Sequence, residues 1–294
     1  MSVEGFSLMG MSIERIRGWY WSLGKFDAIV ALLIVSISSL LLFRLPLITH
    51  YKGIYFNEIF QYVLTIVLAA ALIAIVRPPT LRFFGRPRFN WVSIFALAIA
   101  GMFIALNISD GYNIHQPLRF KVAGIIFLLT IGLSEELLDR ILIFGTLQRF
   151  GMRYAVIVSS LIFGLTHLNV YLPNWHGWQA FTHVCSATGF GLLACGILLA
   201  TRSYWIVVIF HALADWTVVF DGATNEPDRN YTPGIIEALR WGAESFFLEY
   251  GLFGLILLFA VRGKWPRWVI WLAIKWKLVE QAEEVTQNSV PNLK

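Results

Sequence analysis

The stretch FKVAGIIFLLTIGLSEELLDRILIFGTL (residues 120–147) is long enough to cross a bilayer, yet it carries Glu135, Glu136, Asp139 and Arg140 inside an otherwise apolar run. About 20 consecutive apolar residues span the hydrocarbon core as a helix. An Asp or Arg near the centre of such a helix costs about 2.5–3.5 kcal/mol on insertion scales. Several ionisable side chains facing lipid would defeat insertion, so they must face a bundle interior or a wet cavity. Such a helix requires partner helices.

The rest of the chain supplies them. Of 294 residues, 57% are hydrophobic and 14% charged, against about a quarter charged in an ordinary soluble domain. Apolar runs recur at 28–43, 56–76, 90–107, 120–147, 154–170, 180–200, 205–220 and 241–261. They predict an all-α, polytopic transmembrane helix bundle of about eight spans. Basic residues collect on alternate sides: Arg15, Arg17 and Lys25, then Arg77 to Arg88, Arg149 and Arg153, Arg202, and Arg262 to Lys277. Cytoplasmic loops carry the Lys/Arg excess. Both termini are therefore expected in the cytoplasm (beneath the plasma membrane in a bacterium), which agrees with an even number of spans.

The same placement accounts for the net charge of +5 and the pI near 9.3 through orientation in the membrane, and nucleic-acid binding is discarded. Interfacial helices are expected near both ends. SIERIRGWYWSLGK (12–25) puts Trp19, Tyr20 and Trp21 at headgroup level, and KWPRWVIWLAIKWKL (264–278) is broken from the last span at Pro266. The layout is an N-terminal segment over 1–27, a transmembrane domain over 28–262 and an interfacial helix with a polar tail over 263–294. The charged lead-in does not fit a cleavable signal peptide. Cys185 and Cys195 lie on one span, about 15 Å apart, too far for a disulfide.

Helical spacing divides the acidic run. Glu136 and Arg140 are one turn apart with the acid first, the favourable order for a structural ion pair. Glu135 points about 100° away from Glu136 and has no paired base of its own on that face, which makes it a general-base candidate. Asp139, one turn beyond Glu135, has no assigned role. Later spans hold His167, His183, and His211 with Asp215 on one helix face. Counted at 1.5 Å per residue, Glu135 and His167 each lie roughly 21 Å from their basic loops, and His211 roughly 14 Å. One acid and two histidines from three helices at a shared depth can activate water. His183 reads as a packing residue.

Three motifs now line up: EELLDR (135–140) fits E-E-x-x-x-R, FGLTH (163–167) fits F-x-x-x-H, and HALAD (211–215) fits H-x-x-x-N/D. Their order and spacing over 120–220 resemble the CPBP intramembrane protease family, which includes the type II CAAX prenyl endopeptidases and abortive-infection-type membrane proteins. The resemblance implies an endopeptidase cutting near the C-terminus of a membrane-associated protein or peptide. It makes Glu135 the base that activates water with His167, and places His211 and Asp215 on the oxyanion side. It makes Glu136 and Arg140 the brace of the site, with Phe163 packed beneath. Asp215 stands where the family's better-understood members have Asn, and an ionised carboxylate cannot donate to an oxyanion. Either it is protonated or it orients His211. Should zinc take part, Glu135, His167 and His211 are the ligand types available. No H-E-x-x-H pairing is present, and a metal-free mechanism is expected. The competing expectations are a transporter with a buried Asp/Glu/His proton relay and a non-catalytic immunity or scaffold protein of the membrane.

Overall fold

The described parts of the eight apolar runs are largely helical in the computed structural model, which describes residues 12–42, 55–110, 117–168, 177–220 and 233–262; no strand occurs among them. The helices are α1 (Ile13–Ser22), α2 (Lys25–Leu42), α3 (Phe56–Val76), α4 (Trp91–Asp110), α5 (Leu118–Glu136), α6 (Phe144–Leu147), α7 (Met152–Thr166), α8 (Gly177–Thr201), α9 (Tyr204–Ala214), α10 (Trp216–Phe220), α11 (Ile235–Glu244) and α12 (Leu252–Arg262). A π-helical turn, Leu137–Ile143, joins α5 to α6, and another, Ser245–Gly251, joins α11 to α12.

Four helices among the described residues are long and apolar enough to cross a membrane: Phe56–Val76, Trp91–Ser109, Gly177–Thr201 and Ile235–Arg262. Met152–Thr166 and Tyr204–Phe220 are shorter apolar helices. The interfacial helix expected over 264–278 lies outside the described residues.

Burial sorts these helices into a centre and a rim. In its most apolar window α8 is 78% buried, whereas the windows of α3 and of Ile235–Arg262 are 22% buried. α8 packs against α7, α4, α9, α11 and α12. Rim helices leave apolar stripes exposed at helical spacing, such as Ile157, Leu161 and Leu165 on α7 and Val122, Ile125, Ile126 and Leu129 on α5. In water such patches would drive association. In a bilayer they form the lipid-facing surface.

Small residues set the closest helix crossings, as expected where van der Waals packing rather than water drives association. A Cβ on Gly132 of α5 would lie 2.7 Å from the Val208 carbonyl oxygen of α9. A Cβ on Gly164 of α7 would lie 2.7 Å from the Val184 carbonyl oxygen of α8. Each glycine sits three residues before a candidate site residue, Glu135 and His167 respectively. Two of the tight crossings thus occur where the chemistry is expected; another, at Gly254 of α12 against Leu193 of α8, does not.

The N-terminal aromatics divide in their roles. Trp19 is mostly exposed. Tyr20 and Trp21 instead dock on the bundle: Tyr20 donates to Thr146 Oγ1 at 3.0 Å and Trp21 Nε1 to the Val76 carbonyl at 2.9 Å. Arg149 donates to the Tyr20 carbonyl at 2.9 Å. Burial pushes the Tyr20 phenol above its ordinary pKa, against the opposing pull of Thr146 and Arg149.

The run 120–147 is not one unbroken α-helix. Its ladder slips into the π-turn at Leu137, with no Gly or Pro inside the turn to announce it. Two neighbours take up nearby carbonyls. Thr80 Oγ1 donates to Ile141 O at 2.5 Å, and Tyr204 Oη donates to Leu133 O at 2.9 Å. A Cβ on Gly145 would collide with Thr80 and Pro78, so the Thr80 segment sits hard against the helix just past the turn.

Candidate active site

The acids lie at the junction of α5 and its π-turn. α5 ends on Glu135 and Glu136, and the turn carries Asp139 and Arg140. The close α5–α9 crossing at Gly132 brings His211 of α9 against them. His167 is the residue that caps the C-terminal end of α7, and Asp215 caps that of α9. All four residues expected to carry the chemistry therefore meet.

Two layers can be distinguished by exposure. In the dry layer, Glu136 and Arg140 are fully buried and their Oε2 and Nε lie 3.2 Å apart. Glu136 Oε1 accepts from His211 Nδ1 at 2.7 Å. The Arg140 guanidinium stands over the Phe163 ring at 4.9 Å. Among the described residues its Nη1 and Nη2 are buried without a hydrogen-bond partner, as is Asp139 Oδ1. Removing one partner of such a pair leaves an uncompensated charge, which is why the ion pair binds the layer together.

In the accessible layer, the side chains of Glu135, His167 and Asp215 keep 25%, 21% and 31% of their surface. Glu135 Oε2 lies 3.9 Å from His167 Nε2 and 3.7 Å from His211 Nε2. His211 Nε2 also faces Asp215 Oδ2 at 3.5 Å. These separations exceed a direct hydrogen bond and leave room for a shared water or a reacting group. His167 Nδ1 lies 2.8 Å from the Phe163 carbonyl. A carbonyl only accepts, so Nδ1 carries a proton and the ring turns its Nε2 towards Glu135; in the neutral form that nitrogen offers a lone pair.

Phe163 lies under both histidines, its ring centroid 4.6 Å from His167 and 5.9 Å from His211. Two relations escaped the sequence. Glu136 pairs with His211 as well as with Arg140, a contact between helices that no spacing within one helix reveals. His183, read as a packing residue, packs at the site itself: its ring lies 5.3 Å from that of His167. Its i+7 neighbour Phe190 lies 4.7 Å from His211, which places this face of α8 along the site.

Residues 117–217, from the residue before α5 to the start of α10, match the family model described as type II CAAX prenyl endopeptidase Rce1-like. Over these residues, about a third of the chain, the sequence is similar to the CPBP/CAAX proteases. No curated protein and no solved structure matches the chain. The CAAX-type segment contains all three motifs and every residue of both layers. Together with the apolar helices, that similarity points to an integral membrane protein.

Among the described residues no three His, Cys, Asp and Glu side chains converge closely enough to hold a metal ion. His211 Nδ1 is engaged by Glu136, which leaves Nε2 as the nitrogen that faces Glu135. No chemical step below passes through a metal.

Proposed function

We propose that this CAAX-type protein is an intramembrane endopeptidase that cuts a membrane-associated protein or peptide near its C-terminus. The observation that carries the reading is the convergence of His167 Nε2 and His211 Nε2 on one oxygen of Glu135. A bundle of eight spans with both termini cytoplasmic, its protease-like core at 120–220, presents that site below the bilayer surface.

In the proposed reaction a water lies between Glu135 and His167. Glu135 takes its proton while the His167 lone pair orients it, and the oxygen attacks the scissile carbonyl. In its protonated form, His211 presents Nε2–H to the oxyanion that develops there. Asp215 orients that ring from the accessible side, and Glu136 does so from the dry side. The tetrahedral intermediate collapses with cleavage of the C–N bond, and Glu135 returns its proton to the leaving amine.

The test uses purified protein in lipid nanodiscs and peptides ending in prenylated and unprenylated C-terminal sequences. Hydrolysis by the wild type that disappears in Glu135→Gln supports the reading. Cleavage by Glu135→Gln at the wild-type rate removes Glu135 as the base. Glu135-dependent uptake into liposomes without hydrolysis would favour the transporter. Chelator titration with metal analysis decides whether zinc takes part.

A further inference from the structure

His167 has an unusual mechanical problem for a residue asked to orient water. It is the residue just past the last turn of α7, so only one side of its backbone is held by the helix ladder. Its Nδ1 bond to the Phe163 carbonyl fixes the tautomer and one contact point. A ring fixed at one atom still swings about that point. Two rings flank it. Phe163 supports it at 4.6 Å with planes tilted by 50°, and His183 of α8 stands at 5.3 Å with planes tilted by 48°.

The placement of His183 follows from the backbone. Gly164 lets α7 approach α8 so closely that a Cβ would press on the Val184 carbonyl and the Thr188 side chain. His183 is adjacent to Val184 and lies beside the end of α7, where His167 projects. The α5–α9 crossing uses the same device: Gly132 presses on Val208 and Ala212, and His211 meets Glu136 one turn further on. In both crossings a glycine three residues before a site residue brings up the helix that braces it.

We propose that His183 is a positioning residue: its ring closes a clamp with Phe163 that holds the His167 imidazole with Nε2 aimed at Glu135. The proposal rests on the peptidase reading for its kinetic consequence but not for its structural one. The clamp uses the face of the ring. An aromatic carbocycle at position 183 therefore serves, and a methyl group does not.

The experiment compares wild type, His183→Phe and His183→Ala in nanodiscs with two readouts. The first is steady-state hydrolysis. His183→Ala is expected to lower kcat by about 10–100-fold, the scale of a misplacement near 1 Å, with KM unchanged. His183→Phe is expected to keep most of the wild-type kcat. The second is the imidazole nitrogen spectrum of 15N-histidine-labelled protein, with His167 assigned by its loss in His167→Gln. Wild type and His183→Phe are expected to show one Nδ1-protonated tautomer, and His183→Ala an exchange-averaged pair. Full kcat in His183→Ala overturns the clamp. So does a Phe variant as slow as Ala, since the imidazole chemistry rather than the ring would then be needed. If the wild type hydrolyses nothing, the peptidase reading fails, and the spectra decide the clamp alone: an unchanged His167 signal in His183→Ala overturns it.

Discussion

Glu135 and Glu136 share a peptide bond and a histidine, His211, yet their surroundings differ. Glu136 is fully buried, held by Arg140 and by His211 Nδ1. Glu135 keeps a quarter of its side-chain surface and faces two imidazole nitrogens at nearly 4 Å. The first carboxylate is surrounded by fixed partners, and the second faces a gap that substrate and water can fill. The proposed hydrolysis needs both kinds: one acid that exchanges protons and one that holds its partners still. Two adjacent residues achieve this because successive side chains on a helix diverge by about 100°, so one helix serves two layers.

The largest expected effect tests the accessible layer. Glu135→Gln should lower turnover by about 10²–10⁴-fold, the range for loss of a general base, with an unchanged thermal unfolding midpoint. A large fall in that midpoint would break the distinction between the layers. Next comes the dry layer. Arg140→Met leaves Glu136 buried and short of its cation, at a cost of about 3–5 kcal/mol. Unfolding in detergent should register that loss. The double variant Arg140→Met with Glu136→Gln should recover much of it, because no uncompensated ion remains. If the double variant is no more stable than the single one, the pair is not what binds this layer.

A smaller effect tests how the layers are brought together. Gly132→Ala must push α5 off α9, at a cost of about 1–3 kcal/mol for overpacking. It should also slow turnover, since His211 moves relative to both glutamates. An active, fully stable Gly132→Ala protein would show that the crossing tolerates separation. The smallest change belongs to Asp215. Asp215→Asn keeps an oxygen facing His211 Nε2 at about the same separation and gains a donor. Turnover is expected to stay within about tenfold of wild type, the scale of exchanging a charged hydrogen bond for a neutral one. A loss comparable with that of Glu135→Gln would move Asp215 from orienting His211 to the reaction itself.

The membrane-embedded helices were legible because hydropathy is written residue by residue, and lipid imposes it over long windows. The site was legible where charge appeared against an apolar background: Glu135, His167, His211 and Asp215 stood out, and the fold brings them together. What stayed hidden depends on relations between helices. Nothing in EELLDR says that Glu136 will meet a histidine of α9 as well as Arg140. His183 looks like any isolated histidine in a span until Gly164 is known to bring α8 against α7. Tyr20 and Trp21 carry the composition of an interfacial helix, and their composition could not show that they would dock on Val76 and Thr146. The π-turn has no Gly or Pro signature, because the contacts that take up its neighbouring carbonyls, Thr80 and Tyr204, lie elsewhere in the chain.

That turn also has a genealogical meaning. A π-turn closes its hydrogen bond over one residue more than an α-turn, so Leu137–Ile143 behaves as a helix with a residue to spare. Losing one residue there would restore the α ladder without opening a gap in the span. The two ends of the helix would keep nearly their present phase, because the wider turn already takes up the extra residue, and only the side chains inside the turn, Asp139 and Arg140 among them, would move round the axis. When related chains are aligned, a one-residue gap inside this span is therefore best read as loss of a local bulge, and the reach of Asp139 and Arg140 would change with it.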